Sequence, residues 1–404
     1  MANASRITLL NPHADDLIKT PVSFWLVRRR GLEKYGYLID EPARRGQRVA
    51  VLIDGTLSAL FGQKLFARLP GWLRRMLLMF EIMAWIRIND LADKVTVYWS
   101  ASQIADRAFL YIFSYKNCVG AFGARKETIE QFATKLINLS HYFILTTEKA
   151  RNISSLKNAV LIGESDLRRN PYFQRHFPSA GPLLVVPFAV NKRFFVKKRL
   201  EERTQICAAT GSFHNLHEER PHGYYKDYID FFGTDTYHPV RKLLYRRRDE
   251  LGTWFSNRIS LLHEMRGRSD VMARIANHFS LDVAQTEYFS FDIVDFYNDH
   301  KFAVVGEEMS GSPAIGFFEA MACGCAMLGQ EGLFYEGIGL QPGVHYLTHD
   351  GSVESIKGAI DCALATPGEL ERISLGGRSY ATEHCTPAAV WDTLERKLAS
   401  LSAP

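Results

Sequence analysis

Short apolar runs alternate with longer, helix-compatible segments along most of this chain. A strand, a helix and another strand in series are typical of a parallel sheet covered by helices. The alternation occurs in both halves of the chain, so it predicts an α/β protein with two doubly wound, Rossmann-like domains. The predicted strands are residues 6–10, 48–53, 95–99, 118–122, 142–146, 183–187, 205–209, 258–262, 302–305 and 326–328.

Chain length also favours two domains, because 404 residues are too many for one ordinary hydrophobic core. We predict a first domain over residues 1–188, a second over 189–385 and a C-terminal helix over 386–404 that crosses back to the first domain. The boundary lies near Pro187, before a basic segment and a new strand. The helix start follows Thr386, and apolar residues recur at helical spacing at Val390, Trp391, Leu394 and Leu398.

Composition narrows the class of protein. The chain is 47% hydrophobic and 23% charged, and its net charge of +5 does not call for nucleic acid as a partner. The N-terminus lacks the pattern of a signal peptide, and no run of 18 uncharged apolar residues occurs. The six cysteines form no C-x-x-C pair, which favours buried free thiols in a reducing compartment. We therefore expect a cytoplasmic protein.

Residues 63–89 are unusually apolar and aromatic. One helical face would carry Trp72, Leu73, Met76, Leu77 and Phe80, and four arginines punctuate the segment at Arg68, Arg74, Arg75 and Arg87. The preferred interpretation is a helix covered by the sheet and its neighbours, because the apolar face is wider than a single stripe. The alternative is an interfacial helix that makes peripheral contact with the anionic inner face of the cytoplasmic membrane.

Residues 304–328 read VVGEEMSGSPAIGFFEAMACGCAML and combine a strand, a small-residue loop and an apolar segment with one carboxylate, Glu319. Such a loop lets a ligand approach the backbone, and the following helix N-terminus favours anionic groups. A carboxylate beside a ligand accepts hydrogen bonds from two hydroxyls. The segment predicts a sugar-binding or nucleotide-binding site, with Ser310 and Ser312 as further hydrogen-bonding residues.

Other polar residues of the second half extend this hypothesis. Gly211 and Ser212 follow a predicted strand, where their backbone N–H groups would cradle a diphosphate or form an ordinary turn. Glu307 ends another strand, where it would bind ribose or sugar hydroxyls or lie in a solvated loop. The basic residues that would neutralise phosphate are Arg220, Lys226 and Arg241.

A candidate general base follows the first predicted strand of the chain. His13 lies close to Asp15 and Asp16, and one carboxylate would orient the imidazole ring. The alternative is a helix cap, with His13 merely on the loop. The chain has no D-x-D triplet and no zinc spacing of Cys and His, so we expect no metal and no cofactor. It also lacks the G-x-S-x-G and G-x-x-x-x-G-K-[ST] motifs of hydrolases and P-loop NTPases.

Residues 316–328, GFFEAMACGCAML, resemble the EAMACG.PV signature of GT-B glycosyltransferases of the group 1, family 4-like type. Residues 185–191 are similar to the interdomain PNGVD segment of that family, and residues 206–212 to its first donor-domain strand and phosphate turn. Residues 144–148 resemble the strand and SE pair that close the acceptor domain. Residues 301–307, KFAVVGE, resemble more weakly the KF..AFEN segment of fucosyltransferases.

The resemblance implies two Rossmann-like domains facing a cleft, with an acceptor bound by the first and a UDP- or GDP-linked sugar by the second. It implies that Glu319 binds the ribose. A saccharide or polyprenyl-linked glycan would be the acceptor, in the synthesis of a bacterial surface polysaccharide such as lipopolysaccharide O-antigen or capsule. Many retaining members carry a second Glu where this chain has Gly311, so retention or inversion stays open.

Three other functions remain open at this point. A nucleotide-sugar epimerase or a phosphorylase would share the fold. A non-catalytic module that binds sugar nucleotides would need the same donor residues. A membrane-associated scaffold would depend on residues 63–89.

Overall fold

The structure is a computed structural model that describes residues 4–14, 34–55, 66, 68–113, 125–139, 147–178, 182–213, 230–261 and 291–402. The chain divides into two compact units. Unit 1 comprises Met1–Glu164, Phe173–Ala189 and Val390–Pro404, and unit 2 comprises Ser165–Tyr172 and Val190–Ala389. Each unit contains a parallel sheet with helices, so the predicted α/β fold class is confirmed.

The described part of unit 1 holds a seven-stranded sheet in the order β3-β2-β1-β4-β5-β6-β7, in which every neighbouring pair is parallel. Its strands are β1 (Ala4–Leu10), β2 (Arg48–Leu52), β3 (Val95–Tyr98), β4 (Phe109–Ile112), β5 (Thr134–Asn138), β6 (Ala159–Gly163) and β7 (Leu183–Val185). The helices in this half of the chain are α1 (Tyr37–Arg44), α2 (Gly71–Ile88), α3 (Lys126–Ile129), α4 (Thr147–Ser154) and α5 (Pro171–His176).

The described part of unit 2 holds a five-stranded parallel sheet in the order β12-β11-β10-β8-β9. Its strands are β8 (Thr204–Phe213), β9 (Phe255–Leu261), β10 (His300–Val304), β11 (Ala326–Gln330) and β12 (Leu347–His349). Its helices are α6 (Pro239–Arg246), α7 (Ile293–Asn298), α8 (Ile315–Ala322), α9 (Leu333–Gly337), α10 (Val353–Ala365) and α11 (Glu369–His384). The order reverses between β8 and β10, which is therefore the topological switch point of this sheet.

Most predicted strands are present with shifted ends. The runs at 118–122 and 142–146 lie outside the described residues. Four observed strands were not predicted: β4, β5, β6 and β12. Each has only three to five residues, and runs that short cannot be told from helix or loop by periodicity.

The last helix, α12 (Pro387–Ser402), belongs to the core of unit 1. Trp391 and Leu394 are buried in the same cluster as Leu9 and Val51 of the sheet. Arg45 forms ion pairs with Asp392 and with Glu395 on the outer face of α12. Residues nearly 400 positions from the first strand thus complete the apolar core of that sheet.

Helix α2 corrects one prediction. Its buried side chains are Leu78, Glu81, Ile82 and Trp85. The face expected to be covered is instead exposed at Trp72, Met76 and Phe80. Both faces of the helix are apolar, so the pattern alone did not show which one packs on the sheet. Among the helices of the described ranges, none is long and apolar enough to cross a membrane.

The cysteines mostly follow the prediction. Cys207, Cys323, Cys325 and Cys385 are buried free thiols. Cys362 is also free, but it is exposed on α10. Cys118 lies outside the described residues.

Candidate functional site

One arginine side chain joins the carboxyl ends of β8 and β10. Arg241, on α6, is buried and donates from Nε to the carbonyl oxygen of Gly306 at 2.9 Å. Its Nη1 donates to the carbonyl oxygen of Ser212 at 2.8 Å. Ligands of open α/β sheets bind beyond the strand ends at the switch point, so a buried positive charge lies where such a ligand would sit.

The structure places Gly211 and Ser212 differently from the prediction. Strand β8 continues to Phe213, and both residues pair with β9 instead of forming a turn after the strand. Gly211 has a φ of 121°. A Cβ built there would lie 2.8 to 2.9 Å from three side-chain atoms of Arg241. Glycine is needed because the arginine side chain lies against the backbone at this position.

Glu307 lies on the β11 side of β10. It is 1% exposed, and its Oε1 accepts hydrogen bonds from the N–H of Gln330 at 2.7 Å and from the hydroxyl of Tyr335. Burial, together with the neighbouring carboxylate, raises the pKa of Tyr335, so this hydroxyl stays a donor at neutral pH. The carboxylate therefore ties the end of β10 to the end of β11.

Glu319 lies on α8, the helix that follows the small-residue loop. Its neighbours Phe318 and Ala320 are buried, while Glu319 is half-buried. The thiol of Cys323 lies one turn further on, and burial, with Cys325 and Glu319 as nearby charges, raises its pKa. The loop places Ser310 at the surface of a crevice and buries Ser312. The segment thus has the predicted strand, loop and helix, with its carboxylate accessible.

The predicted base region is described only in part. His13 lies in a short 3-10 helix, Pro12–Ala14, directly after β1, and it is fully buried. Asp15, Asp16, Arg220 and Lys226 lie outside the described residues. The roles predicted for these five residues stay predictions.

An acid that sequence reasoning missed lies at the same edge of unit 1. Asp54 follows β2 and is buried, and its carboxylate accepts hydrogen bonds from Arg125 through Nε at 3.0 Å, Nη2 at 2.8 Å and the backbone N–H at 2.8 Å. Asn11, after β1, donates from Nδ2 to the Asp54 carbonyl at 2.6 Å and accepts from the Asp54 N–H at 2.9 Å. Asp54 directly follows the predicted strand 48–53, and a carboxylate at that position is the sequence pattern that could have identified it.

A second missed acid follows β6. The side chain of Glu164 is 17% exposed, accepts a hydrogen bond from the Tyr35 hydroxyl and lies 3.4 Å from Lys34 Nζ. Lys34 Nζ also lies 4.2 Å from the centre of the Phe188 ring. Sequence reasoning did not predict β6, so it gave no reason to examine the residue after it. Glu164 is a partly accessible carboxylate at the edge where His13 is buried.

The comparisons with known proteins agree with this architecture. No protein-family model and no curated protein matches the chain. The structure of Anabaena HepE in complex with UDP and glucose is similar, with a TM-score of 0.51 and 10% identity over 98% of this chain and 99% of that chain. Sucrose-phosphate synthase from Thermosynechococcus elongatus is similar with a TM-score of 0.50 and 14% identity, over 98% and 99% of the two chains. The chain has the GT-B fold of glycosyltransferases.

Proposed function

We propose that this protein is a glycosyltransferase that moves a sugar from a nucleotide-activated donor to a saccharide or lipid-linked saccharide. The observation that carries the proposal is Arg241, held between the carbonyl groups of Ser212 and Gly306 at the switch point of unit 2. The fold supports it, and the HepE structure, which contains UDP and glucose, makes UDP the first nucleotide to test, with GDP as the second.

The leaving group of this reaction is a nucleoside diphosphate, so negative charge grows on phosphate oxygens as the glycosidic bond breaks. A buried guanidinium stabilises that charge more strongly than a solvated one, because little water competes. Arg241 is assigned this role, and Arg220 and Lys226 are proposed to assist. Gly211 contributes by leaving space for the Arg241 side chain, and Ser212 contributes the carbonyl that orients it.

The donor sugar nucleotide is proposed to lie along the loop before α8. Glu319 would accept hydrogen bonds from the ribose hydroxyls, since its carboxylate is half-buried on α8. Ser310 and Ser312 would contact the sugar or the phosphates. Glu307 would act by positioning the strand ends, because its Oε1 is already bonded to Gln330 and Tyr335.

The acceptor hydroxyl must lose a proton during transfer. His13, with Asp15 or Asp16 orienting its ring, is proposed as the base on unit 1, and no metal or cofactor is assigned a part. A bacterial surface polysaccharide, such as lipopolysaccharide O-antigen or capsule, is the proposed product. The proposed location is the cytoplasm, at the inner face of the membrane.

Helix α2 supports this peripheral location. Its exposed apolar stripe comprises Trp72, Met76, Met79, Phe80 and Met83. Trp72, Met76, Phe80 and Met83 follow one another at steps of four, four and three, and Met79 lies three residues after Met76. The five residues therefore share one face of the helix. The opposite face is anchored in the core of unit 1 through Leu78, Ile82 and Trp85. The stripe is therefore carried on a helix that unit 1 holds in place.

Charge on α2 favours an anionic lipid surface as the partner of the stripe. Arg75 and Arg87 are exposed; Arg75 lies within the sequence range of the stripe, and Arg87 lies four residues beyond its last member, Met83. The acid within α2 is Glu81, which is buried on the opposite face. Aromatic and apolar residues between cationic ones are typical of helices that lie in the membrane interface.

The donor proposal is tested by ligand-induced stabilisation of the full chain. A bound ligand raises the unfolding temperature by mass action, so UDP, GDP and their sugar conjugates are compared by thermal shift. Arg241→Met is expected to abolish the shift, and Arg241→Lys to keep part of it. Arg378→Met, an exposed arginine on α11, is the matched control and should shift like the parent. A full shift for Arg241→Met would contradict the proposal.

A further inference from the structure

A crevice in unit 2 lies beside the switch point, on the side of β11 and β12. It has a volume of about 690 Å³, within the range of about 300–1,000 Å³ of small-molecule sites. It opens at the carboxyl ends of β10, β11 and β12, and all of its lining residues belong to unit 2. Arg241, by contrast, bonds to the ends of β8 and β10. The crevice is therefore on the other flank of the loop that precedes α8.

The charges of the crevice do not suit a second phosphate. Its lining includes one cation, Arg169, and two carboxylates, Glu331 and Asp350. Arg169 already lies 3.5 Å from the carboxylate of Glu336. Within the described ranges, neither Glu331 nor Asp350 forms an ion pair. Acceptors outnumber charged donors, so the crevice favours a ligand rich in neutral hydroxyl donors.

One of these carboxylates is held in position. Asp350 Oδ1 accepts the N–H of Ser352 at 2.8 Å, and the N–H of Asp350 donates to Ser355 Oγ at 3.2 Å. These bonds fix the turn between β12 and α10. A carboxylate held in this way binds a ligand hydroxyl with less loss of conformational entropy.

Apolar groups complete the walls. Met309, Phe334 and Pro171 line the same crevice. A Cβ built on Gly311 would lie 3.5 Å from the Phe334 ring, so glycine leaves that ring uncovered by a side chain. Sugar rings present C–H faces as well as hydroxyls, and such faces pack on apolar and aromatic surfaces.

The floor retains polar capacity. His349 lines the crevice and is 4% exposed, and its Nδ1 accepts the N–H of Gly351 at 3.0 Å, so Nε2 carries the proton. Within the described residues, His349 Nε2 is buried without a hydrogen-bond partner. Buried polar atoms without partners are costly, and bound water or a ligand hydroxyl satisfies them.

We propose that this crevice binds a neutral saccharide of one or two sugar units through Glu331 and Asp350. The saccharide would be part of the acceptor, an assignment that rests on the proposed glycosyltransferase function. Unit 2 would then hold acceptor as well as donor, in a crevice that shares only Ser310 with the residues assigned to the donor. The two carboxylates select hydroxyls over phosphates.

The test measures saccharide binding to the full chain by saturation-transfer NMR and calorimetry. Maltose, cellobiose, lactose and sucrose are the probes, and UDP binding is measured separately in the same samples. The double variant Glu331→Gln, Asp350→Asn keeps the shape of both side chains. The matched control is Asp361→Asn, Glu371→Gln, two exposed acids of α10 and α11 that lie outside the crevice.

We expect at least one probe to bind the parent and the control equally. The crevice variant should bind it at least about tenfold more weakly, because charged hydrogen bonds are lost. UDP binding should be equal in all three proteins. Saccharide binding that survives in the crevice variant, or that is absent for all four probes in the parent, overturns the crevice proposal. If the parent does not bind UDP, the donor proposal is overturned instead.

Discussion

The side chain of Arg241 lies against the backbone of Gly211, so close that a Cβ on Gly211 would stand 2.8 Å from Arg241 Nε. The same arginine bonds to the carbonyl groups of Ser212 and Gly306. The backbone of β8 therefore determines where the guanidinium lies. Any side chain at position 211 must move the arginine or the strand.

Gly211→Ala is expected to lower the stability of the protein by about 1–3 kcal/mol, since it adds a collision to a left-handed backbone. It should also weaken UDP binding by displacing Arg241. Gly358→Ala is the control, because Gly358 lies in α10 and a Cβ built there has no neighbouring atom within 4 Å. That variant should be neutral or stabilising by about 0.5–1 kcal/mol. Urea unfolding measures the stability of both variants, and calorimetry measures their UDP binding. If Gly211→Ala matches the parent in stability and in UDP binding, the contact between Gly211 and Arg241 is unimportant.

The double variant Trp72→Ser, Phe80→Ser should lose binding to vesicles. The two side chains are 71% and 69% exposed, so the change removes apolar area without opening the core. We expect co-sedimentation with phosphatidylglycerol vesicles to fall at least about tenfold, because each buried aromatic side chain contributes about 1.5–3 kcal/mol. Binding of the parent should weaken with salt and be poor on phosphatidylcholine.

Leu375→Ser is the matched control for the vesicle experiment, since Leu375 is 59% exposed on α11 of unit 2. It should bind vesicles like the parent. Equal sedimentation of the control and the double variant would remove α2 as the contact surface.

Trp391→Ala should destabilise unit 1 by about 3–5 kcal/mol, as expected for loss of a large buried side chain. Trp391 is 1% exposed in the core formed with the sheet. Trp391→Phe should destabilise unit 1 much less. The indole Nε1 is buried without a hydrogen-bond partner in the described structure, so its removal also removes the free-energy penalty of an unsatisfied buried donor.

Thermal and urea unfolding of the two Trp391 variants give the comparison. Leu364→Ala, at a half-exposed leucine of α10, is the control and should change stability little. A similar loss for Phe and Ala at position 391 would contradict the role assigned to the side-chain volume.

Asp166→Asn should lower stability near neutral pH by about 0.5–1 kcal/mol and have no effect in strong acid. The Arg168 guanidinium, bonded at 2.7 and 2.9 Å, holds the pKa of Asp166 below its usual value. The stabilisation is present above the unfolded pKa of about 3.9 and disappears as the pH falls through the lower folded pKa.

Urea midpoints at neutral and acid pH check the sign of this dependence. Asp361→Asn, at an exposed acid of α10, should show no such pH-dependent difference. A constant difference between Asp166→Asn and the parent at every pH would mean that the charge of Asp166 does not contribute.

Local patterns predicted the elements of this fold better than their packing. The strand at 300–304, the loop after it and the helix with Glu319 follow from composition over a short window. The extension of β8 through Gly211 did not, because glycine and serine are typical of turns and only pairing with β9 keeps them in a strand.

The sequence by itself determined the class of fold, the helix from Pro387 to Ser402 and the segment that carries Glu319, because each depends on neighbours within a few residues. Tertiary structure alone decided that Arg125 bonds to Asp54, 71 positions away, and that Arg241 reaches Gly306, 65 positions away. It also decided which apolar face of α2 is buried. Contacts between distant residues depend on how the sheets bring strand ends together, and no local pattern encodes that distance.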